Sequence, residues 1–321
     1  MGSLGVGIVG TGGIASGGHG PAIRSCADVN LIGVLSRDAA RGRSFLDTYG
    51  AVGDARVHTS IDTFVADKAI DLAIICSPDR LHARHARACL ENGKHVLLEK
   101  PMTTDLSDAD DLIRIAKENR LVLGSGFHLR HHRGHQLLKE RIESGAIGRI
   151  RHIRAIWAFS QYDDSNWRAQ GALGKWWSLA AVGAHCIDLA RWFTGDNRDW
   201  ESFHALIDTG VWGGLHDETA VIAARLQSGI TVETTSSIQF GTYHRVELFG
   251  DKSIAICDST LGRVGGGVIT IGDETLAFEP VSPFLSELED VVRAITHGCE
   301  PKSDAEAGRR SVADLLLALD V

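Results

Sequence analysis

The sequence predicts a two-domain α/β protein. Residues 1–124 read as a doubly wound parallel sheet, and residues 125–321 as an α+β domain with a large, mostly antiparallel open sheet. Three observations carry this. Short apolar runs alternate with amphipathic stretches through the first part, the texture of βαβ units. A glycine-rich turn directly follows the first apolar run. Past residue 150 the texture changes to closely spaced strands with short turns. A chain of 321 residues also exceeds the size at which one core usually keeps growing.

The first run, Val6-Gly7-Ile8-Val9, has the continuous apolar character of a buried parallel strand and leads into Gly10-Thr11-Gly12-Gly13-Ile14-Ala15. This matches the Gly-x-Gly-x-x-Gly/Ala turn of a Rossmann dinucleotide-binding unit. The first glycine permits the tight turn and the second lets the backbone approach a pyrophosphate. The small third residue lets helix and strand pack closely, with the helix N-terminus facing the phosphates. Leu31-Ile32-Gly33-Val34-Leu35 forms the next strand, and Asp71-Leu72-Ala73-Ile74-Ile75-Cys76 another, ended by Ser77-Pro78. Residues 81–91 read as a helix stopped by Asn92-Gly93. His95-Val96-Leu97-Leu98 then runs into Glu99-Lys100-Pro101. Ala109, Leu112, Ile113 and Ala116 mark one helical face, with Asp105 or Ser107 as N-cap, and Leu121-Val122-Leu123-Gly124 is a further strand. Ligands of such sheets bind beyond the carboxyl ends of the strands. The Gly10 turn, Ser36-Arg37, Ser77-Pro78 and Lys100 all fall at such ends, so one edge of the sheet collects them.

In the second domain, strands are expected at 150–159, 202–207, 218–226, 230–238, 245–249, 253–257 and 268–271, and helices at 287–296 and 306–319. All seven tryptophans lie between Trp157 and Trp212. They read as core or subunit-interface residues, with a sugar ring stacked on one as the sharper reading.

Composition narrows the function. Net charge is −8, and no basic block with interleaved aromatics suggests a nucleic-acid surface. No run approaches the ~18 apolar residues of a membrane span, and no charged-then-apolar leader is evident, so a cytoplasmic protein acting on a small soluble substrate is expected. Cys26, Cys76, Cys89, Cys186, Cys257 and Cys299 are scattered and read as buried small apolar residues rather than disulfides or zinc ligands. His82 and His85 lie three apart, and His128, His131, His132 and His135 crowd one segment. A metal would need a third or fourth convergent ligand, so none is assigned. His128 and Arg130 are expected near the pocket, the other histidines on the surface.

The second strand ends in Ser36-Arg37, a hydroxyl and a cation, where an acidic residue would bind the adenosine ribose and repel a 2′-phosphate. NADP is therefore expected over NAD, with Asp38 as the competing ribose contact.

Together with the Gly10 turn, four motifs give the chain a specific resemblance. They are Ser77-Pro78-Asp79-Arg80-Leu81-His82, Gly93-Lys94-His95-Val96-Leu97-Leu98-Glu99-Lys100-Pro101, Gly126-Phe127 through Arg130, and Gly183-Ala184-His185-Cys186-Ile187-Asp188. Over essentially its whole length the chain resembles the glucose-fructose oxidoreductase/inositol dehydrogenase family. The resemblance implies NAD(P)-linked oxidation or reduction of a sugar or cyclitol carbonyl. It also implies a homodimer or homotetramer formed through the C-terminal sheet. It puts Gly10, Thr11, Gly12, Gly13, Ile14, Ala15, Ser36, Arg37, Ser77, Pro78, His82, Glu99 and Lys100 on the cofactor. Lys100, His128, Asn166, Trp167 and His185 fall on the substrate side, with Pro101 shaping its loop, often through a cis peptide.

His185 suits proton exchange at neutral pH, and Lys100 would stabilise a developing alkoxide, so these two are the expected catalytic pair. One departure stands out. The family commonly has an aspartate four residues before the histidine, and here that position is Ala181. Lys175, Asp163 and Asp164 are candidate substitutes. The resemblance leaves two other functions open, since the same fold hosts NAD-dependent glycosidases working by oxidation and elimination, and non-catalytic cofactor-sensing regulators, an option that Ala181 keeps open.

Overall fold

The computed structural model describes residues 3–162 and 165–319. Asp163 and Asp164, two of the candidate substitutes for the aspartate at position 181, lie outside the described residues.

The first sheet has six parallel strands: β1 (Leu4–Val9), β2 (Val29–Leu35), β3 (Arg56–His58), β4 (Leu72–Ile75), β5 (His95–Glu99) and β6 (Leu123–Gly126). Their order is β3-β2-β1-β4-β5-β6, so the winding direction reverses between β1 and β4. That switch opens a crevice at the carboxyl ends of β1 and β4, the place where doubly wound sheets bind ligands. All four residues of β4 are buried, as expected of a central parallel strand covered on both faces. Three-residue β3 was not legible in the sequence, because its one buried side chain makes no periodic run. The cap of the helix Leu106–Asn119 resolves to Asp105, whose carboxylate accepts from the Asp108 amide. Helix His82–Glu91 stops as expected: Gly93 takes φ +75°, which its missing Cβ permits.

The second sheet has eight strands: β7 (Ile150–Ala158), β8 (Trp200–Asp208), β9 (Thr219–Leu226), β10 (Thr231–Ser237), β11 (Tyr243–Gly250), β12 (Ile254–Asp258), β13 (Val268–Ile271) and β14 (Glu274–Thr275). The order is β14-β13-β12-β11-β7-β10-β9-β8, antiparallel throughout except for the parallel pair β7 and β10. Side chains alternate faces along each strand. Ile153, Ala155, Val232, Val246, Leu248 and Cys257 form one core with Cys186, Leu189 and Phe193 of the helix Ala184–Thr194. The opposite face carries charge, with Arg154 paired to Glu233 and Glu247, and Arg245 to Glu247 and Asp258.

The chain forms two compact units, Met1–His128 with Phe284–Val312, and Leu129–Pro283 with Ala313–Val321. A single cut after residue 124 does not describe them. The helix Pro283–His297, expected in the second domain, packs in the first unit, where Phe284, Leu288, Val291 and Val292 join Val6, Ile8 and Leu97. The end of the chain returns to the second unit. Leu315 and Ala318 pack with Trp176, Leu179 and Ile187, and Asp314 makes two hydrogen bonds of 2.7 Å to buried Arg191. Five cysteines are buried as expected, but Cys299 is exposed. Burial pushes the Cys89 thiol up to about 12, so it behaves as a small apolar residue.

Candidate functional site

In the first unit the Gly10 turn has the shape its sequence demands. Gly10 takes φ +97°, and a Cβ there would lie 2.9 Å from the Cys76 carbonyl oxygen, so the position accepts only glycine. At Gly12 and Gly13 an added Cβ would meet nothing within 4 Å. These two glycines leave open space above the helix entry, the cradle a pyrophosphate would fill. Ala15 is fully buried, as close packing requires.

The helix after this turn begins with π-helical residues Ala15–His19 and continues as Gly20–Ser25. Such wide turns are rare and occur frequently at functional sites. The last of them, His19, brings Nε2 to 2.9 Å from Glu99 Oε1, both side chains being buried. Burial alone would raise the Glu99 carboxyl. The hydrogen bond and charge of His19, with Lys100 and His128 adding, instead hold it at about 2. The other Glu99 oxygen accepts from the Lys100 amide at 3.1 Å. The residue before Lys100 is thus clamped, and the Lys100–Pro101 peptide is cis. Gly126 faces this clamp, where a Cβ would come within 3.0 Å of Glu99 Cα. His19 escaped the sequence reading because it lies on no strand end and belongs to no spacing considered there.

His82 is 1 % exposed, and its ring nitrogens lie 2.8 Å from the Pro101 carbonyl and 2.7 Å from that of Ser77. It is a strut between two strand-end loops. His85 lies 2.9 Å from the Ser77 hydroxyl, and burial, with the charges of His82 and Arg84, lowers it to about 4. At the end of β2, Ser36 Oγ donates to the Asp38 carbonyl, while the Asp38 carboxylate caps the helix Ala39–Thr48 by accepting from Arg41 N. The Asp38 carboxylate is thus engaged as a helix cap, and Arg37 beside it is exposed. His128 is buried and stacked on Phe284, with centroids 4.1 Å apart, while His19 meets the same ring edge-on at 5.0 Å.

In the second unit, His185 is the second residue of the helix Ala184–Thr194, directly after a second π-helical segment, Leu179–Gly183. Ala181 lies in that segment. Asp217 anchors its start, accepting from Trp177 N, Leu179 N and Ser178 Oγ at 2.8, 2.6 and 2.7 Å. The segment rests on β10, where a Cβ on Gly183 would come within 2.9 Å of Ser236 Oγ. The His185 ring centroid lies 5.4 Å from that of Trp157 on β7. Arg130, expected near the pocket, is buried and makes two hydrogen bonds to Asp188, so its charge is neutralised there. Asn166 caps the short turn Trp167–Ala169 by accepting from Arg168 N at 3.0 Å. The Arg168 guanidinium lies 4.2 Å from the Trp167 ring centroid, and Lys175 Nζ lies 5.3 Å from that of Trp176.

The histidines expected on the surface are not there. His131, His132 and His135 are buried. His132 and His135 stack at 4.4 Å, His132 Nε2 lies 3.0 Å from the Gly266 carbonyl, and its Nδ1 accepts from the His135 amide. His135 reaches Leu129 O and Thr260 Oγ1. They are core histidines, two of them, His132 and His135, hydrogen-bonded within the fold, and hydrophobic patterning cannot distinguish such residues from polar surface ones. Among the described residues no cluster of three or more His, Cys, Asp or Glu could hold a metal ion, and no helix is long and apolar enough to cross a membrane.

Two family models match the chain: the oxidoreductase family with an NAD-binding Rossmann fold over residues 4–127, and the GFO/IDH/MocA C-terminal domain over residues 135–256. The chain is 26 % identical over 294 residues to a 1,5-anhydro-D-fructose reductase of Ensifer adhaerens, covering 88 % of this chain and 86 % of that protein. It is 24 % identical over 320 residues to a myo-inositol 2-dehydrogenase of Thermotoga maritima, covering 96 % and 92 %. The fold is that of an aldose-aldose oxidoreductase from Caulobacter crescentus, with a TM-score of 0.90 at 22 % identity over 99 % of this chain and 97 % of that one.

Proposed function

Because the chain belongs to the GFO/IDH/MocA oxidoreductase family, we propose that it is an NAD(P)-dependent oxidoreductase acting on a hydroxyl or carbonyl of a sugar, sugar derivative or cyclitol. The observation that carries this reading is the clamped Glu99-Lys100-Pro101 loop at the carboxyl end of β5, on the sheet edge that also bears the open glycine cradle. Gly12 and Gly13 would hold the pyrophosphate, and Ser36 and Arg37 the adenosine end. The nicotinamide, when bound, supplies or accepts the hydride. The protein must then move one proton at the substrate oxygen and stabilise its charge. His185 is the acid/base, and Lys100 the electrostatic partner. The named activities of the relatives, on an anhydro-ketose and on an inositol, support a polyhydroxylated ring or chain as substrate.

NADP is the preferred cofactor. Arg37 supplies the cation a 2′-phosphate needs, and the Asp38 carboxylate is engaged as a helix cap. The second domain binds the substrate, and its open sheet joins copies of the chain. Ala181 favours one other reading, a cofactor-sensing protein without turnover, since alanine cannot orient the imidazole of His185.

The test is a panel of aldoses, ketoses and cyclitols followed at the nicotinamide absorbance with both cofactors, in both directions. Turnover that falls ~10²- to 10⁴-fold in a folded His185→Ala variant supports the assignment, and near-normal turnover removes His185 from it. An NADP/NAD affinity ratio unchanged by the double replacement Ser36→Ala, Arg37→Ala overturns the cofactor preference. Tight NADP binding with no turnover across the panel favours the sensor.

A further inference from the structure

The inner face of the second sheet, beside His185, carries a row of three side chains with no role so far. Ser236 on β10, Trp157 on β7 and His244 on β11 are directly paired across the strands, and paired residues share a face. That face is the one turned toward the helix of His185, because Ile153 and Ala155 alternate with Trp157 on it and are fully buried in the same core as that helix. The row does not stay buried. Trp157 and His244 are both partly exposed, whereas His185 is 2 % exposed. The Trp157 ring centroid lies 5.4 Å from that of His185 and 6.1 Å from that of His244, tilted 31° and 49° to them.

His244 is held in one orientation. Its Nδ1 accepts from the Leu261 amide at 3.3 Å, and its carbonyl accepts from Ser259 N. A neutral ring that accepts at Nδ1 carries its hydrogen on Nε2, and burial favours the neutral form. Nε2 has no protein partner among the described residues and is not among the buried polar atoms left unsatisfied, so this donor faces accessible space. An oriented N–H beside an aromatic face, next to the proposed acid/base, has the composition of a carbohydrate contact. The ring's C–H face covers the indole, and a hydroxyl accepts from the imidazole.

We propose that Trp157 and His244 form a substrate subsite that selects a cyclic polyol, with Trp157 as the platform for one ring face and His244 Nε2–H donating to a ring hydroxyl. The proposal rests on the oxidoreductase reading for its substrate class. A site built to hydrogen-bond a hydroxyl discriminates strongly against an analogue lacking it, because the donor is then left unpaired. The subsite therefore acts on KM and on the choice among sugars, while the proton transfer stays with His185.

The experiment compares the full-length protein with H244A, H244Q, W157A and W157F. D-Glucose, D-galactose, D-xylose, myo-inositol and the open-chain polyol D-sorbitol are measured by steady-state turnover and by saturation-transfer NMR on the NADP-loaded protein. Nicotinamide fluorescence reports cofactor affinity. The expected result is a KM or Kd for the preferred ring ~10- to 100-fold higher in H244A and W157A. H244Q and W157F should recover part of the loss, and cofactor affinity should stay unchanged. Unchanged KM and Kd in both alanine variants would overturn the subsite while leaving the oxidoreductase reading intact, as would a preference for the open chain over every ring. Ring binding without turnover, lost in H244A and W157A, would support the subsite and overturn the catalytic reading. Absence of both binding and turnover would overturn the two together.

Discussion

The buried pair His19 and Glu99 makes a quantitative prediction about replacing Glu99 by glutamine. Glutamine keeps the shape of the side chain but removes the negative charge that the hydrogen bond to His19 and the nearby Lys100 favour, in a site screened from water. The Glu99 carboxyl stands at about 2 instead of 4.5. At roughly 1.4 kcal/mol per pH unit, that gap is worth about 3 kcal/mol, in line with the ~3–5 kcal/mol lost when one partner of a buried pair is removed. The sign follows from the direction of the shift. A carboxyl held below its ordinary value contributes its full stability above about 4.5 and loses it as pH falls from there toward 2. Glu99→Gln should thus lower the unfolding free energy at pH 7 by about 3 kcal/mol. For a unit of this size that is ~6–12 °C in Tm, and the difference from the native chain should shrink as the buffer is taken below pH 4.5. Urea unfolding followed by circular dichroism, with His19→Asn and the double replacement completing the cycle, measures it. Effects that add within ~0.5 kcal/mol would show that the two residues do not act as a pair. A variant as stable as the native chain at pH 7 would refute the reasoning outright.

Three further predictions concern single sites. Gly12→Val should fold with an unchanged Tm, because its Cβ enters open space, yet lose most cofactor affinity in a fluorescence titration. Gly10→Ala should lower Tm itself, since φ +97° and a contact of 2.9 Å with Cys76 O both oppose a Cβ. Glu287 is fully buried with neither oxygen hydrogen-bonded, and burial, aided by the charges of Glu99 and Asp290, pushes its carboxyl well up. A raised carboxyl costs stability as pH rises above its ordinary value, so Glu287→Gln should stabilise the chain at pH 7–8 by about 1–3 kcal/mol and by nothing near pH 4, measured by thermal unfolding. Burial lowers His58, His85, His95, His132 and His244, with His85 brought to about 4. Histidines held neutral in the fold take up protons more readily when unfolded, so Tm should fall as pH drops from 6.5 toward 4. A flat Tm over that range would contradict the burial of these rings.

The first sheet was legible because its information is local. Continuous apolar runs and the Gly10 turn lie within a few residues of one another, and five of the six strands follow from them. The seven longer strands of the second sheet were equally readable from alternation, whereas two-residue β14 and three-residue β3 are too short to carry a period. Their pairing was not readable: nothing local says that β10 lies parallel to β7.

The sequence by itself determined the family, the parallel sheet, the phosphate turn, and Lys100 and His185 as the residues to examine, because motif chemistry depends on neighbours in the chain. Tertiary structure decided what those residues meet. It returned the helix Pro283–His297 to the first unit, set His19 against Glu99, and held His82 between the Ser77 and Pro101 carbonyls. It buried His131, His132 and His135 and aligned Trp157 with His244. Each of these depends on residues far apart in sequence, and for a histidine or a carboxylate the partner decides between core and site. Residue type alone carries no record of that partner, so those roles could be read only once the chain had folded.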